Sequence, residues 1–256
     1  MKKFISNKYV LYTLGLLLFL SIWFIISLFI KDNTMIFPSP IQTFKEMINI
    51  LSKQYIYVSL ASTLIRMLIG FMTSLLLALI FGTIAGNNKH IYKVFKPTIT
   101  ALKSIPTASL LFLFLVLVGA RNATVFIVLL ISFPILYESV VGGYTNIEKG
   151  ILDSLKLEGE NKLYNIIKVK LPLTLPYIFV GITSSFGLSF KIQIMAEILT
   201  GDTRSGLGSL ILAAQRNDPT NMIPIFAYSL IAIIIILLID LLMNLIKNKI
   251  KNAKSL

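Results

Sequence analysis

The amino-acid sequence predicts an all-α fold, a polytopic membrane bundle of about six transmembrane helices with both termini on the cytoplasmic side. Three observations carry that reading. Hydrophobic residues make up 56% of the 256-residue chain and charged residues only 14%, with a mean hydropathy of +0.84, whereas a soluble domain is about one-quarter charged. The apolar residues fall into blocks near the ~20 residues that cross ~30 Å of hydrocarbon. Between the blocks, Lys and Arg concentrate in alternate loops. The length fits one transmembrane domain, residues 1–256.

The first block, 10–30, follows a basic start of Lys2, Lys3 and Lys8. It exceeds the about 7–15 residues of a signal-peptide core and no small-x-small cleavage site follows, so it reads as a retained first helix. The second, 57–86, is too long for a straight crossing and must tilt or project into water. Arg66 lies about ten residues inside it, deep enough to need a carbonyl or an acid as a structural intramembrane partner. "GTIAG" at Gly82 to Gly86 is a small-xxx-small pair suited to close helix packing.

In the third block, 98–118, "SIP" around Pro106 predicts a kinked or broken helix. Ser104 and Thr107 stand ready to satisfy the freed carbonyls, so Ser104, Pro106 and Thr107 are candidate residues of a polar pathway. Lys103 sits early in this block, where its stem reaches the headgroups. The fourth block, 123–143, and the last, 224–246, carry Glu138 and Asp240 near their cytoplasmic ends, where hydration accounts for them. The start of the fifth, 173–192, is marked by Pro172 and Pro176, as prolines suit a first helical turn. Beyond it, "SGLGS" at Ser205 to Ser209 reads either as a plain turn or as the start of a short helix whose N–H groups face an anion.

Sidedness follows from the basic residues. Segments 1–9, 87–97, 144–171 and 247–256 hold fifteen of the 24 Lys and Arg, which places both termini and the 144–171 loop in the cytoplasm. The net charge of +13 is therefore a topology signal with anionic lipid headgroups as its partner, and nucleic acid is not a partner. With no cysteine and one histidine, His90, the chain offers neither a metal site nor a Ser-His hydrolase.

The 144–171 loop holds five Lys and four acids, yet apolar residues recur in it at helical spacing. Ile147, Ile151 and Leu155, widened by Leu152, form one stripe; Leu163, Ile166 and Ile167 form a second. Gly159 allows a tight turn between the two short helices. The stripes either lie on the membrane surface or cover the bundle, or they dock into a groove on a cytoplasmic partner.

"DSLKLEGENKLYNIIKVKLPLTLP" (Asp153 to Pro176) resembles the cytoplasmic loop of binding-protein-dependent ABC importer permeases, an E-A-A triplet, three residues, Gly, then a hydrophobic stretch ending in Leu-Pro. Gly159, Leu171 and Pro172 match; the triplet departs, falling on Asp153, Ser154 and Leu155. "FPSP" (Phe37 to Pro40), "STLIRMLIGF" (Ser62 to Phe71), "SIPTASLLFLFLVLVGAR" (Ser104 to Arg121) and "MAEILTGDTRSGLGSLI" (Met195 to Ile211) are similar, in order and spacing, to the nitrate/sulfonate/taurine-type subfamily.

The resemblance implies a plasma-membrane permease subunit working as a pair, most simply a homodimer. Two separate ATPases, which bind ATP and Mg, would dock on the 144–171 loops, and an extracytoplasmic binding protein would deliver the substrate. Glu197, where the family's chain turns back near the pathway, becomes a candidate for gating or helix pairing. The substrate implied is a small anion such as a sulfonate, taurine or nitrate, with a thiamine-precursor pyrimidine or other small metabolite as the alternative.

Independently, no G-x-x-x-x-G-K-[ST] phosphate loop occurs, so this chain supplies no ATP site and is not itself an enzyme; it binds no cofactor of its own. A secondary transporter would show repeated halves or a chain of buried carboxylates, and neither is visible. An intramembrane enzyme would need more than His90. A scaffold without transport stays open on physical grounds.

Overall fold

Why each apolar block becomes a helix is settled by the solvent: in lipid every backbone N–H and C=O must find its partner within the segment. The computed structural model describes residues 8–30, 36–157, 162–201 and 205–253, and among them the regular structure is helical. Helix α1 (Lys8–Phe29) is apolar all round and exposes Leu14, Leu17 and Leu18 as a lipid-facing rod does. Helix α2 (Pro40–Leu51) is short and amphipathic. Its start explains "FPSP": the Ser39 hydroxyl accepts from the Gln42 N–H (3.3 Å), the Gln42 amide oxygen accepts from the Ser39 N–H (3.0 Å), and Pro40 occupies the first turn. Phe37 packs edge-on against Phe226, and Trp23 donates to the Pro38 carbonyl at 3.1 Å, which ties α1 and α2 to the last helix.

Helix α3 (Gln54–Asn87) has 34 residues, about 50 Å of helix, longer than the hydrocarbon core. The chain then caps α4 (Lys89–Ser104) with the Asn88 side chain, which accepts from the N–H groups of His90 and Ile91. Ile105 and Pro106 are extended, and α5 (Thr107–Thr145) begins beyond them. The expected span 98–118 is thus divided. Pro106 lacks the N–H that would continue α4, and the residue before a proline is pushed out of the helical region.

Within α5 the backbone leaves helical geometry at Gly119 (φ 79°, ψ 165°) and reverses. Phe114 and Phe126 stack with ring centroids 5.3 Å apart; twelve residues of straight helix would separate them by about 18 Å. The limb 120–145 therefore runs back beside the limb 107–118 and α4. Helix α6 (Lys149–Leu157) follows, then α7 (Lys162–Asn165), a π turn (Ile166–Lys170) and α8 (Leu171–Thr200) as one continuous stretch, then α9 (Leu207–Asn217) and α10 (Ile223–Ala253). Stretches Gln54–Asn87, Ile166–Thr200 and Ile223–Ile246 have the length and apolarity to cross a membrane, as does the returning limb of the apolar Thr107–Thr145, with Thr13–Phe29 as a shorter apolar helix.

The core lies where α3, the returning limb of α5 and α8 interlock. Small residues on α3 bring the backbones together: a Cβ on Gly82 would stand 2.7 Å from the Val140 Cβ, and one on Gly86 2.6 Å from that of Tyr144. "GTIAG" is a packing surface. Phe71 meets Phe186 edge to face at 5.0 Å, and the Ser132 and Ser189 hydroxyls share a buried 2.7 Å hydrogen bond between α5 and α8.

Candidate functional site

We call the end of the bundle that holds 87–97 and 144–171 the inner end, after the charge bias, and the other the outer end. Near the outer end, Arg66 projects from α3 and Glu197 from the last turns of α8. Arg66 Nη2 lies 2.9 Å from Glu197 Oε1, with the side chain of Arg66 only 7% exposed and that of Glu197 0%. Arg66 also donates to the carbonyls of Ser205 and Ser62.

The carboxylate accepts four hydrogen bonds. Gln193 Nε2, one helical turn earlier, shares Oε1 with Arg66 at 2.9 Å. On Oε2, the Thr63 hydroxyl (3.0 Å) and the Gly208 N–H (3.0 Å) donate. Thr63 in turn accepts the Leu207 N–H at 2.8 Å. Every lone-pair site of the carboxylate is thereby used.

The sequence makes this possible at two glycines. Gly201 (φ 68°) ends α8 in the left-handed region. Gly206 (φ 137°) brings the chain so close that a Cβ there would lie 2.5 Å from Glu197 Oε2 and 2.6 Å from Arg66 Nη2. "SGLGS" therefore opens a helix whose Gly208 N–H donates to an anion, the chain's own Glu197, while the Leu207 N–H before it donates to Thr63. Thr63 and Gln193 belong to this constellation and were not singled out above. Their spacing held the signal, since residues three before Arg66 and four before Glu197 share the helix face of each.

At the inner end, Ile147 is buried with Val140, Tyr144 and Ile178, and Ile151, Leu152 and Leu171 pack against that cluster beside Leu75 and Leu79. Of the readings open for the first stripe, this arrangement is the one in which it covers the bundle, filling an apolar gap left by α3, α5 and α8. The outward side of α6 carries Asp153 and Ser154, exposed, with Leu155 half-buried and Leu157 88% exposed. Gly159 lies outside the described residues, so the turn expected there has no structural account.

The second stripe differs from expectation. Pro172 does not open a new span but follows a π turn inside a continuous helix. The Leu171 N–H reaches back to the Ile166 carbonyl, and the widened turn gives room for a proline ring that would collide with the carbonyl four residues earlier. Pro172 itself is exposed, Tyr164 and Ile167 are 57% and 50% exposed, and Lys170 Nζ bonds Asn87 Oδ1 at 2.8 Å, linking the two inner loops.

Ser104 and Pro106 are exposed at the break between α4 and α5, with Thr107 half-buried beside them. The Ser104 hydroxyl bonds back to the Thr100 carbonyl at 2.9 Å. Lys103 does not reach for headgroups but grips both carboxylate oxygens of Glu138 at 2.9 Å. Among the described residues no group of His, Asp and Glu is placed to hold a metal.

Residues 74–252 match the family described as binding-protein-dependent transport system inner membrane component. A Bacillus subtilis protein named as an aliphatic sulfonates transport permease is 26% identical over 217 residues, covering 82% of this chain and 76% of the relative. A nitrate import permease protein of Synechocystis is 25% identical over 197 residues, covering 70% and 68%. A solved structure of the MetNI methionine ABC transporter, in an inward-facing conformation, shares the fold with a TM-score of 0.59 at 18% identity, covering 77% of this chain and 94% of that one. The family match spans well over half the chain, and the chain belongs to the binding-protein-dependent transport system inner membrane components, as a permease subunit of an ABC importer.

Proposed function

We propose that this chain forms half of the translocation pathway of an importer in the plasma membrane, the other half being a second copy. Two separate ATPases, holding ATP and Mg, dock at the inner end of the pair, and an extracytoplasmic binding protein loads substrate at the outer end. Both termini lie in the cytoplasm. One observation carries the docking reading: α6 is seated on the bundle by Ile147, Ile151 and Leu152 while its other side presents Asp153, Ser154 and Leu157. A helix fixed on one side and open on the other is a lever for a partner. Gly159, Leu171 and Pro172 complete that loop by their match to the family pattern. Ser104, Pro106 and Thr107 belong to the pathway, and Arg66 and Glu197 hold the outer gate elements together. The substrate is a small anion of the sulfonate or nitrate kind, the class named for the relatives.

The test is purification in detergent with the candidate ATPase co-expressed. The expected outcome is a stable complex, two ATPases for two permease chains, and its loss in Leu157→Glu. A chain that moves solute with no ATPase bound would overturn the reading.

A further inference from the structure

The Lys103–Glu138 ion pair has no place in the docking or gating just described, and its position is unusual. Glu138 lies seven residues inside the inner end of α5 (Thr107–Thr145), about 10 Å from it, and Lys103 stands beside it at the end of the amphipathic helix α4. Lysine can extend its stem to the headgroups from that depth; the shorter glutamate side chain cannot. Yet the side chains are 47% and 51% exposed, so they open onto the surface of the bundle and not into its interior. Ionised groups within a span face protein or water, not lipid tails.

The exposed side of α4 beside them is positively charged, over a groove whose lining is mainly apolar. Helix α4 packs its apolar side inward: Ile99 is buried, and Phe95 lies 5.6 Å from Phe81 and 6.2 Å from Tyr137 between ring centroids. Its opposite side carries Lys89, Lys93, Lys96, Thr100 and Lys103, spaced three and four apart and all exposed, and residues 89–107 include no acid. Lys93, Lys96, Pro97, Thr100, Ala101 and Ser104 line an open groove that ends at the helix break.

We propose that this face is the wall of a water-filled vestibule at the inner mouth of the pathway, and that Lys93 and Lys96 receive a small anion there. It rests on the permease reading and deepens it by naming the exit wall and the residues that meet the anion. Glu138 neutralises Lys103 at the surface beside the groove, and the helix break at Ile105–Pro106 opens the wall where the lysines end. A low-dielectric cleft lined by one sign of charge concentrates the opposite ion.

The chain contains no cysteine, so single cysteines report cleanly. Thr100→Cys and Ser104→Cys, each in the full chain in inverted membrane vesicles, are treated with an anionic sulfonatoethyl and a cationic trimethylammonioethyl methanethiosulfonate, with rates normalised to free cysteine. Leu241→Cys, on the exposed apolar side of α10, is the lipid-facing control. Both test positions are expected to react several-fold faster than the control and to prefer the anionic reagent. Lys93→Gln with Lys96→Gln should abolish the preference while the cationic reagent still reacts. Rates as slow as the control would show lipid or protein against this face and overturn the vestibule. Fast labelling without charge preference would overturn its anion selectivity. Neither readout depends on the ATPase, whose retention on purification tests the permease reading separately.

Discussion

The outer and inner ends of the bundle solve opposite problems with the same materials. At the outer end, Arg66, Glu197, Thr63, Gln193 and the first turn of α9 close a polar network in which the carboxylate is fully enclosed and fully bonded. At the inner end, α6 buries one side and exposes the other. The first arrangement has a single good geometry, because removing any donor leaves a buried charge under-satisfied. The second leaves an open surface. The difference teaches where rigidity and openness reside: α3 is locked to the distant α8–α9 turn at the outer end, while an exposed helical surface is kept at the other.

The sharpest way to break this contrast is to unpair the outer network. Arg66→Met should strand Glu197 and destabilise the chain by about 3–5 kcal/mol, read as a lowered melting temperature in detergent. Arg66→Met combined with Glu197→Leu should recover part of that loss, since no charge is then left buried; a double variant as unstable as the sum of the singles would argue against a coupled pair. Next in size is Gly206→Ala, whose Cβ would press on Glu197 and Arg66 at a positive φ; a loss of about 1–3 kcal/mol is expected. At the inner end, Leu157→Glu should change stability by no more than about 0.5 kcal/mol, while co-purification of the ATPase falls sharply. A variant that unfolds there would mean that the surface is structural. Smallest of all, Lys170→Met removes one exposed hydrogen bond to Asn87, and no measurable shift in melting is expected.

Much of this contrast was legible in the sequence, unevenly. The depth of Arg66 demands an acid or a carbonyl, and the structure supplies both in Glu197 and Ser205. Which acid could not be read, because 131 residues separate the two and the register of α3 on α8 depends on packing of small residues that no local pattern encodes. Pro106 announced the break, since a missing N–H is a local fact. The long amphipathic start of α4, nine residues before the expected span, was hidden because Lys89, Lys93 and Lys96 read as loop charge. The apolar stripe of Ile147, Ile151 and Leu152 was visible as a stripe, but periodicity carries no address: it shows that a face is covered, not by what. The π turn was invisible because Pro172 taken alone is equally good as a helix start.

The attachment of α1 has a consequence of its own. This helix meets its neighbours chiefly through Trp23, against Pro38 and Phe226, and along α2, while Leu11, Leu14, Leu18 and Ile22 remain open to hydrocarbon. Its free energy of insertion is therefore gained from lipid before tertiary assembly begins. Rearrangement elsewhere in the bundle need not drag it along: α1 behaves as a mooring, tied by one indole to the quay and otherwise riding free.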